Sequence, residues 1–368
     1  MKFHYLIVGA GLAGCTLAER LANESDRKVL LVEKRDHIGG HCTDRYNDDG
    51  ILVQIYGPHI FHTRIQTVWE YLNRFTSFNS YVHRVLSAVR EGLNVYFPLN
   101  LETMEKITGK SFSPESLNAY FEEKRVKIDE KDIKNSRDVV ISQVGEELYE
   151  LFIKNYSKKQ WGLYPEELDP QVLRRIPVRY NRDTRYFDDP WQGIPSHGYF
   201  RIFENMVKHK NIHILLQTDY KDIISQVTFD KLIYTGPIDY FFDYVYGRLP
   251  YRTMVFNFQT LDMEYFQEAA VVNYPNFNNY TRITEFKHFY LQQHPRTTIC
   301  YEYSTGEGEP YYPIPTSESR IIYEKYKAQA AKLKNTYFVG RLAEYRYINM
   351  DQAVNSALEL FHKLHSLS

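Results

Sequence analysis

The feature that most limits the fold of this chain is its beginning. An apolar, β-prone run from Phe3 to Val8 passes directly into Gly9-Ala10-Gly11-Leu12-Ala13-Gly14. Apolar residues then recur at helical spacing from Leu12 to Asn23, and a second apolar run from Lys28 ends in Glu33. A strand, a Gly-x-Gly-x-x-Gly turn, a helix and a second strand with an acidic end form the βαβ unit that binds dinucleotides.

Each residue of this unit has a physical role. Gly9 permits the tight turn, Gly11 lets the backbone approach a pyrophosphate, and Gly14 lets the helix pack closely on the strand. Glu33, nineteen residues after Gly14, is placed to accept hydrogen bonds from a ribose. A second glycine pair, Gly39-Gly40, follows the acid. Such a pair is typical of FAD enzymes, so we predict FAD rather than NAD.

The composition is that of an ordinary globular protein. At 368 residues the chain is long enough for two or three domains. Its net charge of −1 gives no general attraction for nucleic acid or for an anionic membrane. No run reaches the roughly 18 apolar residues of a membrane span, and Cys15, Cys42 and Cys300 lack the spacing of metal ligands. We therefore expect a cytoplasmic protein without a metal site.

Patterns further along the chain predict that the nucleotide-binding domain is interrupted. The region from about 99 to 161 has a helical pattern, with Ser113 as an N-cap, Pro114 at the first helical position and an apolar stripe through 139–159. β-Prone runs at 251–260 and within 271–303 predict an antiparallel sheet. The runs at 231–237 and 337–340 and a helix at about 351–364 would return to the first domain and complete it.

The predicted fold is therefore α/β. It has a discontinuous Rossmann-like FAD-binding domain, an inserted helical domain and an antiparallel β-sheet domain. The predicted FAD-binding domain comprises 1–78, 196–240 and 330–368. The helical domain, which carries a mobile lid, comprises 99–162, and the sheet or substrate domain comprises 79–98, 163–195 and 241–329.

Six interior motifs point to one family. In chain order they are Tyr56-Gly57-Pro58-His59-Ile60-Phe61-His62-Thr63, Lys159-Gln160-Trp161-Gly162, Arg175-Ile176-Pro177-Val178-Arg179-Tyr180, Tyr280-Thr281-Arg282, Glu309-Pro310-Tyr311-Tyr312-Pro313 and Gly340-Arg341-Leu342-Ala343-Glu344-Tyr345. This set closely resembles the bacterial UDP-galactopyranose mutases, from Tyr5 to about Leu360. Six motifs in the same order are far more specific than the N-terminal signature alone.

The resemblance implies an isomerase that interconverts UDP-galactopyranose and UDP-galactofuranose without net oxidation. In that family reduced FAD supplies the nucleophile: its N5 attacks the anomeric carbon, and the sugar ring opens and recloses. The implied substrate is UDP-galactose or a related UDP-sugar, with NAD(P)H or another reductant acting transiently. The resemblance also implies a cytoplasmic homodimer that feeds galactofuranose into surface polysaccharide.

The resemblance implies three sets of site residues. The catalytic set is Arg175, Arg282, Arg341 and His59. The cofactor-binding set is Gly9, Gly11, Leu12, Ala13, Gly14, Glu33, Lys34, Gly40, His41, Tyr56, His59, Ile60, Gly340, Arg341, Asn349, Met350 and Ala353. The substrate-binding set is His83, Phe152, Tyr156, Ser157, Trp161, Arg175, Tyr186, Arg252, Asn273, Arg282, Tyr312, Tyr347 and Asn349.

The resemblance also implies a role for each residue, and the chemistry of the side chains is compatible with these roles. Arg175 and Arg282 match diphosphate-binding arginines, whose charge stabilises a leaving diphosphate. Phe152 and Tyr186 match a uracil-binding pair, although core packing is an alternative for Phe152. Trp161 matches a lid residue that excludes water from the site.

Some positions depart from the commonest family pattern. His41 stands where many relatives have Asn, and Asn349 stands where many have Asp. These departures leave open UDP-N-acetylgalactosamine or another sugar nucleotide as the substrate. An FAD amine oxidase or desaturase, or a non-catalytic flavoprotein, would share the N-terminal signature but would not require the later arginine–tyrosine set.

Overall fold

A computed structural model describes residues 2–366. The strands in chain order are β1 (Lys2–Val8), β2 (Val29–Val32), β3 (Asp44–Tyr46), β4 (Leu52–Gln54), β5 (Phe61–Thr63), β6 (Val85–Arg90), β7 (Leu93–Phe97), β8 (Trp191–Gly193), β9 (Ile212–Leu215), β10 (Thr228–Tyr234), β11 (Tyr251–Leu261), β12 (Val271–Asn273), β13 (Arg282–Glu285), β14 (Thr297–Thr305), β15 (Tyr312–Pro313) and β16 (Thr336–Phe338).

The α-helices alternate with these strands. They are α1 (Leu12–Ser25), α2 (Gln66–Leu72), α3 (Leu101–Thr108), α4 (Pro114–Lys124), α5 (Ser136–Val144), α6 (Glu146–Phe152), α7 (Lys154–Trp161), α8 (Gln171–Arg174), α9 (Tyr199–Met206), α10 (Tyr220–Ile223), α11 (Ile238–Phe241), α12 (Lys287–Tyr290), α13 (Ser317–Ala330) and α14 (Met350–Ser366). Short 3-10 helices occur at Gly40–Cys42, Glu130–Asp132 and Pro165–Glu167.

A five-stranded parallel sheet forms the nucleotide-binding part of the molecule. Its order is β16-β10-β1-β2-β9, and Leu6 at its centre pairs with Leu232 on one side and Leu30 on the other. Both faces of such a sheet are covered, so its central strands are almost continuously apolar. Helices α1, α9 and α14 bury their apolar faces in one core with the sheet, which includes Leu17, Phe203 and Phe361.

A seven-stranded sheet forms the second layer. Its order is β15-β11-β14-β13-β12-β6-β7, and its pairs are antiparallel except for β12 with β6, which is parallel. The long β11–β14 pair runs from Thr253 opposite Thr305 to Leu261 opposite Thr297. Helices α3 to α8 pack beside this sheet around a core that contains Phe121, Tyr149 and Trp161.

The predicted α/β class, with its Rossmann-like parallel sheet and a separate, largely antiparallel sheet, is confirmed. Ser113 is the N-cap of α4 with Pro114 at its first position, also as predicted. The region of the apolar stripe at 139–159 is helical, and the chain there forms three helices, α5, α6 and α7, with breaks at Gly145 and Ile153. The domain boundaries stay a prediction. Within residues 2–366, the structure contains no helix that is both long and apolar enough to span a membrane.

Candidate active site

The glycine-rich turn lies in the wall of a first cavity of about 530 Å³. Eleven of the predicted cofactor-binding residues line it: Gly9, Gly11, Leu12, Ala13, Glu33, Lys34, Gly40, His41, Gly340, Arg341 and Ala353. Gly14 and Tyr56 do not line it. Helix α1 begins at Leu12, so its free N–H groups lie at this wall and favour an anionic ligand such as a phosphate.

The turn has the shape that a dinucleotide requires. At Gly14 a Cβ would lie 1.9 Å from the Gly9 carbonyl oxygen, so only glycine permits this approach of helix to strand. At Gly11 the nearest atom to a Cβ would be 3.9 Å away, which leaves open space in front of that backbone. Gly14 is therefore fixed by packing, and Gly11 leaves room beside the helix N-terminus. The residues present fit a bound pyrophosphate.

Glu33 is buried at the end of β2 beside the same cavity. One of its carboxylate oxygens accepts a hydrogen bond of 2.9 Å from the Ala10 N–H, and the other accepts from the N–H of Arg35 at 3.0 Å. A carboxylate offers about four acceptor positions, so Glu33 keeps capacity for a ribose hydroxyl. A second carboxylate, that of Glu309, forms ion pairs with Lys34 at 2.9 Å and with Arg35 at 2.5 Å.

A second cavity of about 500 Å³ brings together most of the predicted substrate residues. It is lined by His83, Phe152, Tyr156, Ser157, Trp161, Arg175, Tyr186, Asn273, Arg282, Tyr312, Tyr347 and Asn349, and also by His59, Ile60, Met350 and Arg341. Arg341 lines both cavities. The N-terminal end of α14 also borders both, because Met350 faces the second cavity and Ala353 the first.

Arg252 is the predicted substrate residue that lines neither cavity. Its buried guanidinium donates to Ser304 Oγ at 2.9 Å and to the Gln160 carbonyl at 3.2 Å. These bonds join the C-terminal end of α7 to β14. Arg252 therefore lies behind the cavity wall, and its placement supports a structural role.

Three arginines bring positive charge to the second cavity, which Asp188 and Asp189 also line. Arg175 donates a 2.7 Å hydrogen bond to the Tyr347 hydroxyl and lies over the Tyr347 ring at 4.3 Å. Burial alone would raise the pKa of Tyr347, but the neighbouring Arg175 guanidinium outweighs it and lowers that pKa. Arg341 lies 5.2 Å from the Tyr312 ring, and Arg282 lies 6.0 Å from the Tyr156 ring. Guanidinium and phenol groups of this kind supply directed donors for an anion.

The cavity wall also holds polar atoms without partners. Among the residues that the structure describes, Arg282 Nε, Arg341 Nη1 and Asn273 Oδ1 are buried there without a hydrogen bond. Arg282 Nε is 3.5 Å from the buried Glu302 carboxylate, the nearest opposite charge. Burial raises the pKa of Glu302, and Arg282 opposes this shift. Unsatisfied buried polar groups are rare and costly in native proteins, so these atoms suit a ligand with complementary groups.

His59 is held as a neutral imidazole. Its Nδ1 is 3.0 Å from the Gly57 carbonyl, which can only accept, so Nδ1 carries the proton. The Tyr311 hydroxyl lies 3.5 Å from Nε2 but donates instead to the Tyr56 carbonyl at 2.7 Å. Burial lowers the pKa of His59 to about 4. His59, which lines the second cavity, therefore keeps a lone pair on Nε2 at neutral pH.

Aromatic rings line one part of the second cavity. Phe152 is buried, stacks against Phe97 at 5.8 Å and also lines the cavity, so it belongs to both the core and the site. Tyr186 lies 6.3 Å from Phe97. Trp161 is also buried, with its ring 5.2 Å from Tyr347. The movement of a lid at Trp161 stays a prediction.

Comparisons with known proteins identify the family. A family model described as UDP-galactopyranose mutase matches residues 151–347, more than half of the chain. A probable UDP-galactopyranose mutase of Klebsiella pneumoniae is 40% identical, with 96% of this chain and 92% of that protein covered. The chain belongs to the UDP-galactopyranose mutase family. It is therefore an isomerase, as the sequence predicts.

Other relatives of this mutase agree on the family and the fold. A dTDP-fucopyranose mutase of Escherichia coli is 37% identical, with 96% of each protein covered. A crystal structure of reduced UDP-galactopyranose mutase superposes with a TM-score of 0.81 over 100% of this chain and 95% of that one. At 16% identity that match shows the fold alone. A model of NAD(P)-binding Rossmann-like domains matches residues 7–75.

Several residues of the two cavities lie outside the predicted sets of site residues, although His62 and Glu309 belong to the motifs that carry the resemblance. His62 and Phe187 line the second cavity with their rings stacked at 3.5 Å, and His62 Nδ1 is 2.9 Å from Asp189. Arg35 and Glu309 line the first cavity. Phe187 follows Tyr186, and Arg35 follows Lys34, so adjacency to predicted residues was the available signal. For Glu309 only the fold brings the residue to Lys34.

Proposed function

We propose that this isomerase uses reduced FAD to interconvert UDP-galactopyranose and UDP-galactofuranose. The observation that carries the proposal is the position of Arg341, which lines both the cavity beside the dinucleotide-binding turn and the cavity with the arginine–tyrosine cluster. A cofactor in the first cavity and a sugar nucleotide in the second would meet there. When bound, reduced FAD supplies the nucleophile for the anomeric carbon.

The chain's residues have distinct tasks under this proposal. Arg175 and Arg282, with the hydroxyls of Tyr156, Tyr312 and Tyr347, bind the diphosphate and stabilise its charge as it leaves and returns. The two arginines enter from different elements, the end of α8 and the start of β13, so they can hold a diphosphate from two sides. Ion pairs gain strength where water is excluded.

The remaining residues orient the base, the sugar and the flavin. Phe152 and Tyr186 offer ring faces to a uracil in the aromatic part of the cavity. Neutral His59 accepts a hydrogen bond through Nε2 and cannot act as an acid near pH 7, because its pKa is about 4. Arg341 carries positive charge toward the anionic reduced flavin, and the N-terminus of α14 favours negative charge on the same side.

The proposal is tested by turnover in defined redox states. We expect the purified protein to be yellow with non-covalently bound FAD. Dithionite or NAD(P)H should start conversion of UDP-galactopyranose, without stoichiometric consumption of reductant, as followed by chromatography of the sugar nucleotides. Equal turnover by the fully oxidised enzyme under air would contradict the proposal.

A panel of sugar nucleotides tests which sugar the enzyme prefers. Because one relative is named for dTDP-fucopyranose, the panel should include a dTDP-hexose beside UDP-galactose and UDP-N-acetylgalactosamine. We expect UDP-galactose to give the highest kcat/KM. A cytoplasmic homodimer that supplies galactofuranose for surface polysaccharide stays a prediction, which sedimentation and analysis of the polysaccharide in a deletion strain would test.

A further inference from the structure

The loop between β12 and β13 is attached to helix α7 by one lysine. Lys159 Nζ contacts four backbone carbonyls of this loop: those of Phe277 at 3.0 Å, Tyr280 at 3.1 Å, Asn278 at 3.4 Å, and Tyr274. The loop closes on itself through a 2.9 Å bond from the Tyr274 N–H to the Thr281 carbonyl. Asn278 has a φ of 58°, a left-handed conformation that Asn tolerates and that helps the loop to curl.

The lysine binds these carbonyls as a cation. An ammonium has three N–H donors and no acceptor, so oxygens gathered around it match its chemistry. Within residues 2–366, no carboxylate lies in ion-pair range of Lys159. Burial lowers its pKa to about 8, so the charged form predominates at neutral pH. The carbonyl dipoles therefore replace the water that the Lys159 ammonium loses on burial.

A second contact joins the same two elements. Asn276 accepts a 3.0 Å hydrogen bond from Asn155 in α7 and donates one of 2.8 Å to the Leu151 carbonyl in α6. Both of these bonds lie at exposed positions. Lys159 is more buried and has more partners, so it is the stronger part of the attachment.

The two attached elements both line the second cavity, where the Arg282 guanidinium lies 6.0 Å from the Tyr156 ring. Helix α7 carries Tyr156 and Trp161, three residues before and two residues after Lys159. The strands at the two ends of the loop carry Asn273 and Arg282, which pair with each other across β12 and β13. Lys159 does not line the cavity itself.

We propose that Lys159 is a positioning residue that holds the Tyr156–Trp161 wall at a fixed distance from the Asn273–Arg282 wall. This proposal rests on the proposed function, because the ligand that both walls contact is the nucleotide diphosphate. Without the ammonium, four carbonyls lose their partner and the walls separate. Nucleotide binding then weakens, while the flavin site, bounded by other elements, keeps its cofactor.

The test measures UDP binding and loop protection separately. UDP is titrated into oxidised holoenzyme with tryptophan fluorescence as the signal, for wild type, Lys159→Met and Lys158→Met. Lys158 is the matched control, because it lies next to Lys159 but contacts the end of its own helix and the residues after it: the Gly162 carbonyl at 2.9 Å and the Tyr164 ring at 4.6 Å. We expect the Kd of Lys159→Met to rise on the order of tenfold or more, and that of Lys158→Met to stay within about twofold.

Hydrogen exchange of the loop amides distinguishes the possible failures. Lys159→Met should lose protection at 274–281 with or without UDP, and Lys158→Met should not. If both variants bind UDP like wild type, or if loop exchange is unchanged, the positioning role is overturned. If wild type binds no UDP, the proposed function fails, while the exchange result still decides whether Lys159 holds the loop.

Rescue separates the role of the charge from a general loss of packing. In Lys159→Ala the carbonyls are left around an open space that a small cation can enter. Ethylammonium should restore UDP affinity in part, whereas tetramethylammonium at equal ionic strength, which has no N–H donor, should not. Equal effects of both cations would contradict the proposal.

Discussion

At the residue scale, the arginines of the second cavity contact phenols more often than carboxylates. Arg175 bonds to Tyr347, and Arg341 and Arg282 lie over tyrosine rings. A phenol shares hydrogen bonds with a guanidinium without neutralising it, so the positive charge stays available to a diphosphate. Glu302 is the exception, and it faces Arg282 alone among these arginines.

Arg175→Ala tests the availability of that charge. Losing one guanidinium from a leaving diphosphate should reduce kcat/KM on the order of a hundredfold, or about 3 kcal/mol, with flavin content unchanged. Arg174→Ala is the control, because Arg174 pairs with Glu130 away from the cavity. Steady-state kinetics of both variants and wild type measure the change in kcat/KM. If Arg175→Ala keeps more than half of wild-type activity, Arg175 does not hold the diphosphate.

Arg282→Ala should differ from Arg175→Ala in its effect on stability. It should also reduce kcat/KM on the order of a hundredfold. In addition it leaves the Glu302 carboxylate buried without an opposite charge, which we expect to lower the free energy of unfolding by about 3 kcal/mol. Adding Glu302→Gln should recover much of that stability but not the activity. Urea denaturation of the two variants measures this, and no recovery would show that Glu302 is satisfied without Arg282.

At the element scale, local sequence predicted those elements whose signals are local. The strand–glycine turn–helix unit and the Ser113-Pro114 helix start lie where the pattern places them. The breaks at Gly145 and Ile153 were not predicted, because the apolar stripe continues through them. The break at Gly145 depends on tertiary packing, because its backbone, with a φ of 85°, packs on the Lys124 carbonyl at the end of α4.

Gly145→Ala tests this corner. A Cβ there would lie 2.4 Å from the Lys124 carbonyl oxygen, and a φ of 85° with a ψ of 176° costs a residue with a side chain on the order of 1–3 kcal/mol. Gly92 also has a positive φ, 72°, but a Cβ would meet no atom within 4 Å. In urea denaturation Gly145→Ala should therefore lose about 2 kcal/mol more than Gly92→Ala. Equal losses would mean that packing on α4 contributes nothing to the break.

At the scale of the whole molecule, the site is assembled from segments far apart in sequence. His59, Tyr156, Arg282 and Arg341 line one cavity although they come from four regions of the chain. No periodicity predicts this assembly, and only the family resemblance anticipated it. Sequence does not distinguish a side chain that lines a cavity from one that packs behind its wall, as Arg252 does.

Assembly around buried histidines should make the molecule sensitive to acid. Burial lowers the pKa of His59 to about 4 and that of His83 to about 3, against about 6.5 in an unfolded chain. A lowered histidine pKa means that the unfolded state binds the proton first. The stability contribution is therefore complete above pH 6.5 and is lost as the pH falls toward 4 and 3. At pH 5 each histidine should cost about 2 kcal/mol relative to pH 8.

Substitution of one buried histidine measures how much of the loss of folding stability between pH 8 and pH 5 is due to that histidine. His83→Gln should reduce the stability difference between pH 8 and pH 5 by about 2 kcal/mol, because a neutral amide replaces the group that must be desolvated without its proton. His362→Gln, at an exposed position in α14, should leave that difference unchanged. Urea denaturation of both variants and wild type at the two pH values measures it. Comparing differences rather than absolute stabilities removes any packing defect that the substitution introduces, because such a defect is common to both pH values. An unchanged difference in His83→Gln would mean that His83 is already charged in the folded protein at pH 5, and that the cavity wall accommodates that charge.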